Sequence, residues 1–412
     1  MRLGARSILV LLALLVPSSA LAKELVLWHA YRADERTALE KTVARWNDKA
    51  RGQDPRIQLL AVPYDAFSDK ISAAVPRGHG PDLFIFAHDR VGDWAESSIV
   101  EPIEFWMTEA HAGRFLYKTI DSLCYKESLY GLPLAFKTTI LIYNKALVPT
   151  PPKTTDELMA VGRRLTDRKA GRFGLVYTNT KLYFHAAWLF GHGAVIFDKQ
   201  GKPRVNSAEG RAALNFARDM GGKHGIVPPE SSATLTTSLF NQGKAGMAIS
   251  GPWMLGEISR DLDVGLAPLP LVSSTGKPAA PFLGAEGIMM SARSTQKKAA
   301  FRAMTFLASD EMATLRALGA RQPVANREVW EHPKLKADPV LSAFREQLDT
   351  ATVMPGTPEM RVIWAPYDIA LEKVIGAGGE AGAALHEAEQ EIRRFLAAQH
   401  GGAKGNKAEA TP

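Results

Sequence analysis

The sequence of 412 residues contains a single cysteine, Cys124, which excludes an intramolecular disulfide and a metal cluster built on cysteines. It also lacks common catalytic signatures, because no G-x-S-x-G, H-E-x-x-H or G-x-x-x-x-G-K-[ST] motif is present. The ten histidines are scattered without the spacing of metal ligands. We therefore expect no metal, no cofactor and no catalytic residues. The many acidic residues nevertheless do not exclude a glycosidase that uses two carboxylates.

A strong charge imbalance is missing as well. Lys and Arg total 50 against 43 Asp and Glu, and this formal net charge of +7 is weak evidence for a nucleic-acid partner. Hydrophobic residues at 46% and charged residues at 23% are ordinary for a globular protein and exclude a disordered chain. At roughly 150 residues per domain, the length suggests two or three domains.

The first 22 residues have the pattern of a cleavable signal peptide. Arg2 and Arg6 precede the apolar run Ile8–Val16, and the small residues Ala20 and Ala22 mark a cleavage site. The alternative is a membrane anchor, but the run is too short to cross about 30 Å of hydrocarbon. Since no cysteine follows the run, a lipoprotein anchor is excluded, and we expect an exported protein in a Gram-negative periplasm.

Strand-like and helix-like patterns alternate along the rest of the chain. Leu25–Trp28, Ile57–Val62 and Asp82–Phe86 read as strands, with helical spacing of apolar residues such as Leu39 and Val43 between them. This order predicts βαβ units, an α/β fold and a largely parallel sheet. Further strands are predicted at Lys137–Asn144, Phe173–Thr178, Ala245–Ser250 and Gly287–Ala292. A final helix over Glu380–Ala397 should precede a disordered tail over residues 401–412.

Several segments together resemble the maltose/maltodextrin-binding family of periplasmic solute receptors. They follow one another in the family's order over nearly all of the chain after residue 22. The segments are Gly80–Arg90, Leu141–Lys145, Pro151–Thr154, Phe240–Met247, Ser250–Trp253, and Met354 and Pro355 with Pro358, Met360 and Trp364 after them.

The resemblance implies a two-lobe α/β fold with mixed sheets flanked by helices, a cleft between the lobes and three hinge crossings. The first lobe would comprise residues 23–135 and 283–335, and the second residues 136–282 and 336–400. Sugar would bind in the cleft, the lobes would close, and the closed form would dock on an ABC permease.

Aromatic residues at family positions suit the apolar faces of a sugar. Trp253, Trp364 and Tyr183 match the family's stacking residues, and Phe86 stands where the family usually has tryptophan. Each of them has an alternative role in core packing.

A neighbouring acid and base match the family's hydroxyl-binding pair. The carboxylate of Asp89 accepts hydrogen bonds from hydroxyls, and the guanidinium of Arg90 donates them through a rigid fork. The alternative is a structural ion pair at a helix start. His88, directly before them, is assigned a structural role.

Some positions depart from the family in the sign of their charge. Lys137, Lys181 and Arg32 fall where the family has acids, and Asp368 falls where it has arginine. Either these residues face water, or they bind a ligand through its carboxylate, its phosphate or the acceptor lone pairs of a sugar hydroxyl. Glu286 lies in a hinge segment and is available to pair with Lys137 or to restore a lost carboxylate.

The sequence thus predicts a non-catalytic receptor of an ABC importer that binds malto-oligosaccharide or a related sugar. The expected partners are an oligosaccharide, an inner-membrane permease and, as an alternative to the permease, a chemoreceptor; we expect a monomer and no nucleic acid. Two alternatives remain: the same fold with another oligosaccharide or an anionic sugar derivative as ligand, and a periplasmic glycan-acting enzyme.

Overall fold

The structure, a computed structural model, describes residues 24–50 and 54–408; the predicted signal peptide, residues 1–22, lies outside them. The strands are β1 Leu25–His29, β2 Ile57–Ala61, β3 Leu83–Ala87, β4 Cys124–Tyr125, β5 Ser128–Leu129, β6 Gly131–Lys137, β7 Ile140–Asn144, β8 Phe173–Val176, β9 Ala245–Ser250, β10 Val264–Ala267, β11 Leu271–Val272, β12 Lys277–Pro278, β13 Phe282–Met290 and β14 Thr352–Val353.

Helices surround these strands. The α-helices are α1 Ala33–Lys49, α2 Tyr64–Ala74, α3 Val91–Glu96, α4 Glu109–Gly113, α5 Tyr117–Asp121, α6 Thr155–Leu165, α7 Leu182–Gly191, α8 Ala208–Gly221, α9 Ala233–Asn241, α10 Lys297–Leu307, α11 Asp310–Ala320, α12 Pro333–Lys336, α13 Pro339–Thr350, α14 Pro358–Arg361, α15 Trp364–Leu371 and α16 Ala381–Ala408. Short 3-10 segments lie at His88–Arg90, Glu104–Trp106, Arg168–Ala170, Pro252–Glu257 and Glu328–Glu331, and a π-helical turn lies at Glu372–Gly376.

The first sheet has the strand order β14-β13-β3-β1-β2, with β6 also paired to β13. β1 pairs in parallel with β2 and β3, as the βαβ pattern predicts. β13 runs antiparallel to both β3 and β6. The carboxyl ends of β1, β2 and β3 therefore meet at one edge of this sheet.

The second sheet has the order β10-β7-β9-β8. β8 and β9 are parallel, whereas β7 is antiparallel to β9 and β10. Both sheets are thus mixed, and the prediction of a largely parallel sheet is wrong at β7 and β13. These two strands enter their sheets from chain crossings rather than from βαβ units, so nothing forces them to run parallel.

β13 connects the two lobes. Phe282 lies in a core formed with α7, α15 and α16. Leu283 lies in a core that includes β7 and β9. Ile288 and Met290, farther along the same strand, lie in the core of the first sheet with β1 and β3. One strand therefore passes from the second lobe into the first.

Two predicted elements differ from the structure. The predicted strand Lys137–Asn144 is divided, because Lys137 ends β6 and β7 starts at Ile140. α16 continues to Ala408, so the backbone of residues 401–408 is helical where a disordered tail is predicted. Over residues 24–50 and 54–408, no helix is both long and apolar enough to cross a membrane.

Candidate functional site

Charged and polar side chains follow the parallel strands of the first sheet, at the edge where the carboxyl ends of these strands lie. Arg32 and Glu35 come after β1, Tyr64 begins α2 just after β2, and Asp89 and Arg90 come directly after β3. In open α/β sheets, ligands bind outside the carboxyl ends of the strands. The parallel order of β2, β1 and β3 therefore collects these residues in one place.

The second lobe contributes a continuous row of aromatic rings. Tyr183, on α7 after β8, lies 6.0 Å from the ring of Trp253, which follows β9, and 6.3 Å from that of Phe282. Phe282 in turn lies 5.9 Å from Trp364 on α15. Phe282 is fully buried, whereas the three other rings are only partly buried. Trp253, Tyr183 and Trp364, all predicted from the sequence, therefore lie along one surface.

The Trp253 ring lies over the backbone of Gly251. A Cβ atom built on Gly251 would lie only 2.2 Å from the ring, so no larger residue fits at this position. The absence of a side chain at Gly251 thus leaves room for the indole next to Tyr183.

Phe86 lies in the core rather than on the site surface, which corrects its predicted role as a stacking residue. It is only 4% exposed. Its ring stacks on Phe67 at 4.6 Å and on Tyr64 at 4.8 Å, so both of its faces are covered. Tyr64, which the sequence analysis did not select, is 54% exposed and presents the free aromatic surface instead.

Tyr64 and Tyr183 belong to different lobes but share the same charged surroundings. Although the Tyr64 side chain as a whole is half exposed, desolvation of its hydroxyl raises its pKa, and the charges of Asp89 and Glu286 raise it further. Burial also raises the pKa of Tyr183, with added contributions from Glu286 and Asp89. The charges of Asp89 and Glu286 thus act on a phenol of each lobe.

Asp89 and Arg90 form an ion pair, with 3.4 Å between Asp89 Oδ2 and Arg90 Nε. The Asp89 side chain is 13% exposed, and burial raises its pKa despite the opposing effect of Arg90. Asp89 Oδ1 is buried without a hydrogen-bond partner among the described residues, whereas Glu286 Oε2 lies in an ion pair with Lys137. An unpartnered acceptor of this kind is well suited to the hydroxyl donors of a ligand.

Lys137 is neutralised by two carboxylates. Its ammonium donates a hydrogen bond to Glu35 Oε1 and lies 3.5 Å from Glu286 Oε2, with the Tyr31 ring 5.7 Å away. Burial acts to lower the pKa of Lys137, but Glu286 and Glu35 outweigh it and the pKa is raised. Glu286 thus pairs with Lys137, one of the two roles proposed for it from the sequence.

The two reversed charges of the second lobe also pair with each other. Lys181 Nζ lies 3.2 Å from Asp368 Oδ2 and 3.4 Å from Glu372 Oε1. Asp368 additionally accepts a hydrogen bond of 2.7 Å from the backbone N–H of Leu182, at the start of α7. The two positions that depart from the family in the sign of their charge therefore form an ion pair with each other in this chain.

Arg32 reaches from the first lobe towards the second. Its guanidinium lies 4.0 Å from Glu257, and both side chains are largely exposed. Arg32, Trp253 and Glu257 border a cavity of about 390 Å³. Other lining residues carry hydroxyls: Thr178, Thr234, Thr236, Thr237, Ser238 and Ser250.

The charge pattern indicates which ligand the site can take. Each base that suggested an anionic ligand, Lys137, Lys181 and Arg32, is paired with at least one carboxylate. What remains free is aromatic surface, hydroxyls and carboxylate oxygens. This combination suits an uncharged ligand with apolar C–H faces and a rim of hydroxyls.

Comparison with known proteins is consistent with this description. A profile of the family described as bacterial extracellular solute-binding protein matches residues 30–314, more than half of the chain. Similar proteins include a maltotriose-binding protein of Pyrococcus abyssi, 28% identical over 85% of this chain and 77% of that protein. A galactooligosaccharide-binding protein of Bacillus subtilis is 26% identical over 93% of this chain and 92% of its own.

Solved structures agree in fold. The Thermus thermophilus maltotriose binding protein bound with maltotriose superposes with a TM-score of 0.82 at 24% identity. The match covers 90% of this chain and 100% of that one. At this level of identity the likeness supports the two-lobe fold.

Proposed function

The chain belongs to the bacterial extracellular solute-binding protein family, and on this basis we propose that it is the receptor of an ABC importer that binds a malto-oligosaccharide between its lobes. The observation that carries the proposal is partly exposed aromatic surface on both lobes, Tyr64 on the first and Tyr183 with Trp253 on the second, together with the unpartnered acceptor Asp89 Oδ1. Rings cover the C–H faces of the sugar, and the Asp89 carboxylate accepts from its hydroxyls.

Binding between lobes explains how a ligand produces a signal without chemistry. Because Tyr64 and Trp253 belong to different lobes, a sugar that contacts both favours the closed arrangement over the open one. The lobes comprise residues 23–135 with 283–335, and 136–282 with 336–400. The closed form is what the permease recognises; docking on a chemoreceptor is the alternative.

The remaining properties follow from the same proposal. The protein is a monomer that catalyses nothing. It is exported through the signal peptide at residues 1–22 into the periplasm.

A second candidate ligand is a galacto-oligosaccharide, which is favoured by the similarity to the Bacillus subtilis protein. The pairing of Lys137, Lys181 and Arg32 with carboxylates counts against an anionic sugar derivative.

Titration calorimetry against a panel of sugars tests the proposal. We expect maltotriose to bind with a Kd of about 1 μM or tighter, with little dependence on salt because the site is neutralised by its own ion pairs. Galacto-oligosaccharide, a uronate and a sugar phosphate are the comparison ligands.

The panel separates the alternatives. Strong salt-dependent binding of the uronate or phosphate, with no binding of neutral sugars, would overturn the proposal. Release of shorter sugars during long incubation with maltotriose would favour the glycan-acting enzyme.

Tyr64 provides a test of the corrected aromatic site. Tyr64→Ala should weaken maltotriose binding by about tenfold, because one sugar-facing ring is lost, while Tyr64→Phe keeps the ring and should bind nearly as well as the original chain. Calorimetry measures both variants. Unchanged affinity in Tyr64→Ala would show that the exposed ring is not part of the sugar site.

A further inference from the structure

His88 lies at the end of β3, directly before Asp89, and its side chain is fully buried. Its Nδ1 accepts a hydrogen bond of 3.0 Å from the backbone N–H of Ala285. Its Nε2 lies 2.6 Å from the backbone carbonyl oxygen of Met354. Because an amide N–H can only donate and a carbonyl can only accept, the imidazole is neutral and carries its proton on Nε2.

One partner of His88 lies on β13, where the chain passes between the lobes, and the other lies in a second-lobe segment bonded to that strand. Ala285 stands on β13 between Leu283, in a second-lobe core, and Ile288, in the first-lobe core. The Met354 side chain lies in the second-lobe core beside Phe282. Met354 is also tied to β13, because its N–H donates to the Leu283 carbonyl at 3.0 Å.

The segment of residues 354–357 fits closely against the start of α3. The Gly356 carbonyl accepts a hydrogen bond of 2.9 Å from Gly92 N–H. A Cβ atom on Gly356 would lie 3.0 Å from the His88 carbonyl oxygen. The segment therefore has little freedom to move away from His88 without losing contacts.

We propose that His88 is a positioning residue for ligand binding, which joins the Asp89–Arg90 pair through one imidazole to the crossing strand β13 and to the second-lobe segment 354–357. The contacts of His88 then determine both the angle between the lobes and the position of Asp89. A ligand that binds Asp89 acts on the hinge through the adjacent residue. This inference rests on the proposed function only for the identity of the ligand. The contacts of His88 near the hinge are independent of it.

Two substitutions separate the two hydrogen bonds. In His88→Asn the amide oxygen replaces Nδ1 and keeps the acceptor for Ala285, but the donor to Met354 is lost. In His88→Gln the longer amide replaces Nε2 and keeps the donor to Met354. Gly356→Ala is a third variant, which presses the 354–357 segment away from His88 without changing the histidine.

The distance between the lobes is measured by pulsed electron spin resonance. Spin labels are attached to Lys41→Cys on α1 and Arg164→Cys on α6, both exposed, with the exposed Cys124 replaced by serine. His192→Asn is the matched control, because His192 is also buried and bonds a backbone carbonyl, that of Trp188, but at the end of α7 and away from β13.

We expect His88→Asn and Gly356→Ala to broaden the ligand-free distance distribution and to weaken maltotriose binding by about tenfold. His88→Gln should remain within about twofold of the original affinity, and His192→Asn should change only the melting temperature. If both His88 variants lower the melting temperature but leave distances and affinity unchanged, the proposal is wrong. It is equally wrong if His192→Asn broadens the distances as much as His88→Asn does.

The ligand-free measurement keeps this inference separate from the proposed function. If the original protein binds none of the sugars, the proposed function fails. The broadening in His88→Asn without ligand still decides whether His88 holds the hinge.

Discussion

Replacing Trp253 with alanine is expected to weaken oligosaccharide binding by about 100-fold while leaving the melting temperature of the ligand-free protein nearly unchanged. The indole is only partly buried, lies over Gly251 and adjoins both Tyr183 and the cavity of about 390 Å³. It therefore supplies a ring of the site and lies at the edge of the adjoining core rather than inside it. Calorimetry and thermal unfolding of the same preparation measure the two effects.

The control for Trp253 is the conservative change Trp253→Phe. It retains an aromatic face above Gly251 and should recover most of the affinity. A large fall in melting temperature in Trp253→Ala, with normal affinity in the folded fraction, would show instead that the ring is a core residue.

The strands of the fold were largely predictable, and the main omission has a physical cause. The bounds of β9 match the predicted strand Ala245–Ser250, because a short apolar run between polar turns is typical of a buried strand. β6 was missed because Gly131 and Pro133 interrupt its pattern. Pro133 is tolerated at the irregular register between β6 and β13, where ladder pairing shifts beside Gly287.

The site was only partly predictable because β3 is buried on both faces. In such a strand, apolar and polar residues do not alternate, so the sequence does not show which aromatic ring faces the cleft. Phe86 matched a family position but is enclosed by Phe67 and Tyr64. Tyr64 stands at the start of α2, and only the folded chain places it over Phe86.

The charges at the site were even less predictable from the sequence than its aromatic rings. Lys137 and Glu35 are 102 residues apart in the chain, so no local pattern reveals that they pair. Read singly, Lys137, Lys181 and Arg32 suggest a basic pocket. In the structure each has an acidic partner, and the argument for an anionic ligand loses its basis.

Replacing Lys137 with methionine is expected to lower the free energy of unfolding by about 3–5 kcal/mol at pH 8, because it leaves buried carboxylates without their cation. The Lys137 side chain is 11% exposed and that of Glu286 13%. Burial raises the pKa of Glu286 from 4.5 to about 7, even though Lys137 acts to lower it. Without the lysine, that pKa must rise further.

The direction of the pH dependence follows from this shift. A carboxyl group whose pKa is higher in the folded than in the unfolded state contributes stability that is present below pH 4.5 and lost as pH rises through about 7. Lys137 has a raised pKa and stays charged throughout this range. Lys137→Met should therefore be destabilised more at pH 8 than at pH 5, where Glu286 is largely protonated.

Urea unfolding at both pH values measures the difference, and Lys145→Met is the matched control. Lys145 follows β7 and pairs with Asp263 at 2.9 Å, but both side chains are exposed, so its loss should not change stability measurably at either pH. Equal destabilisation of Lys137→Met at pH 5 and pH 8 would contradict a role for Glu286 titration. Lys137 and Lys145 stand near the ends of successive strands and both pair with carboxylates, so the contrast tests whether burial of the pair is the cause.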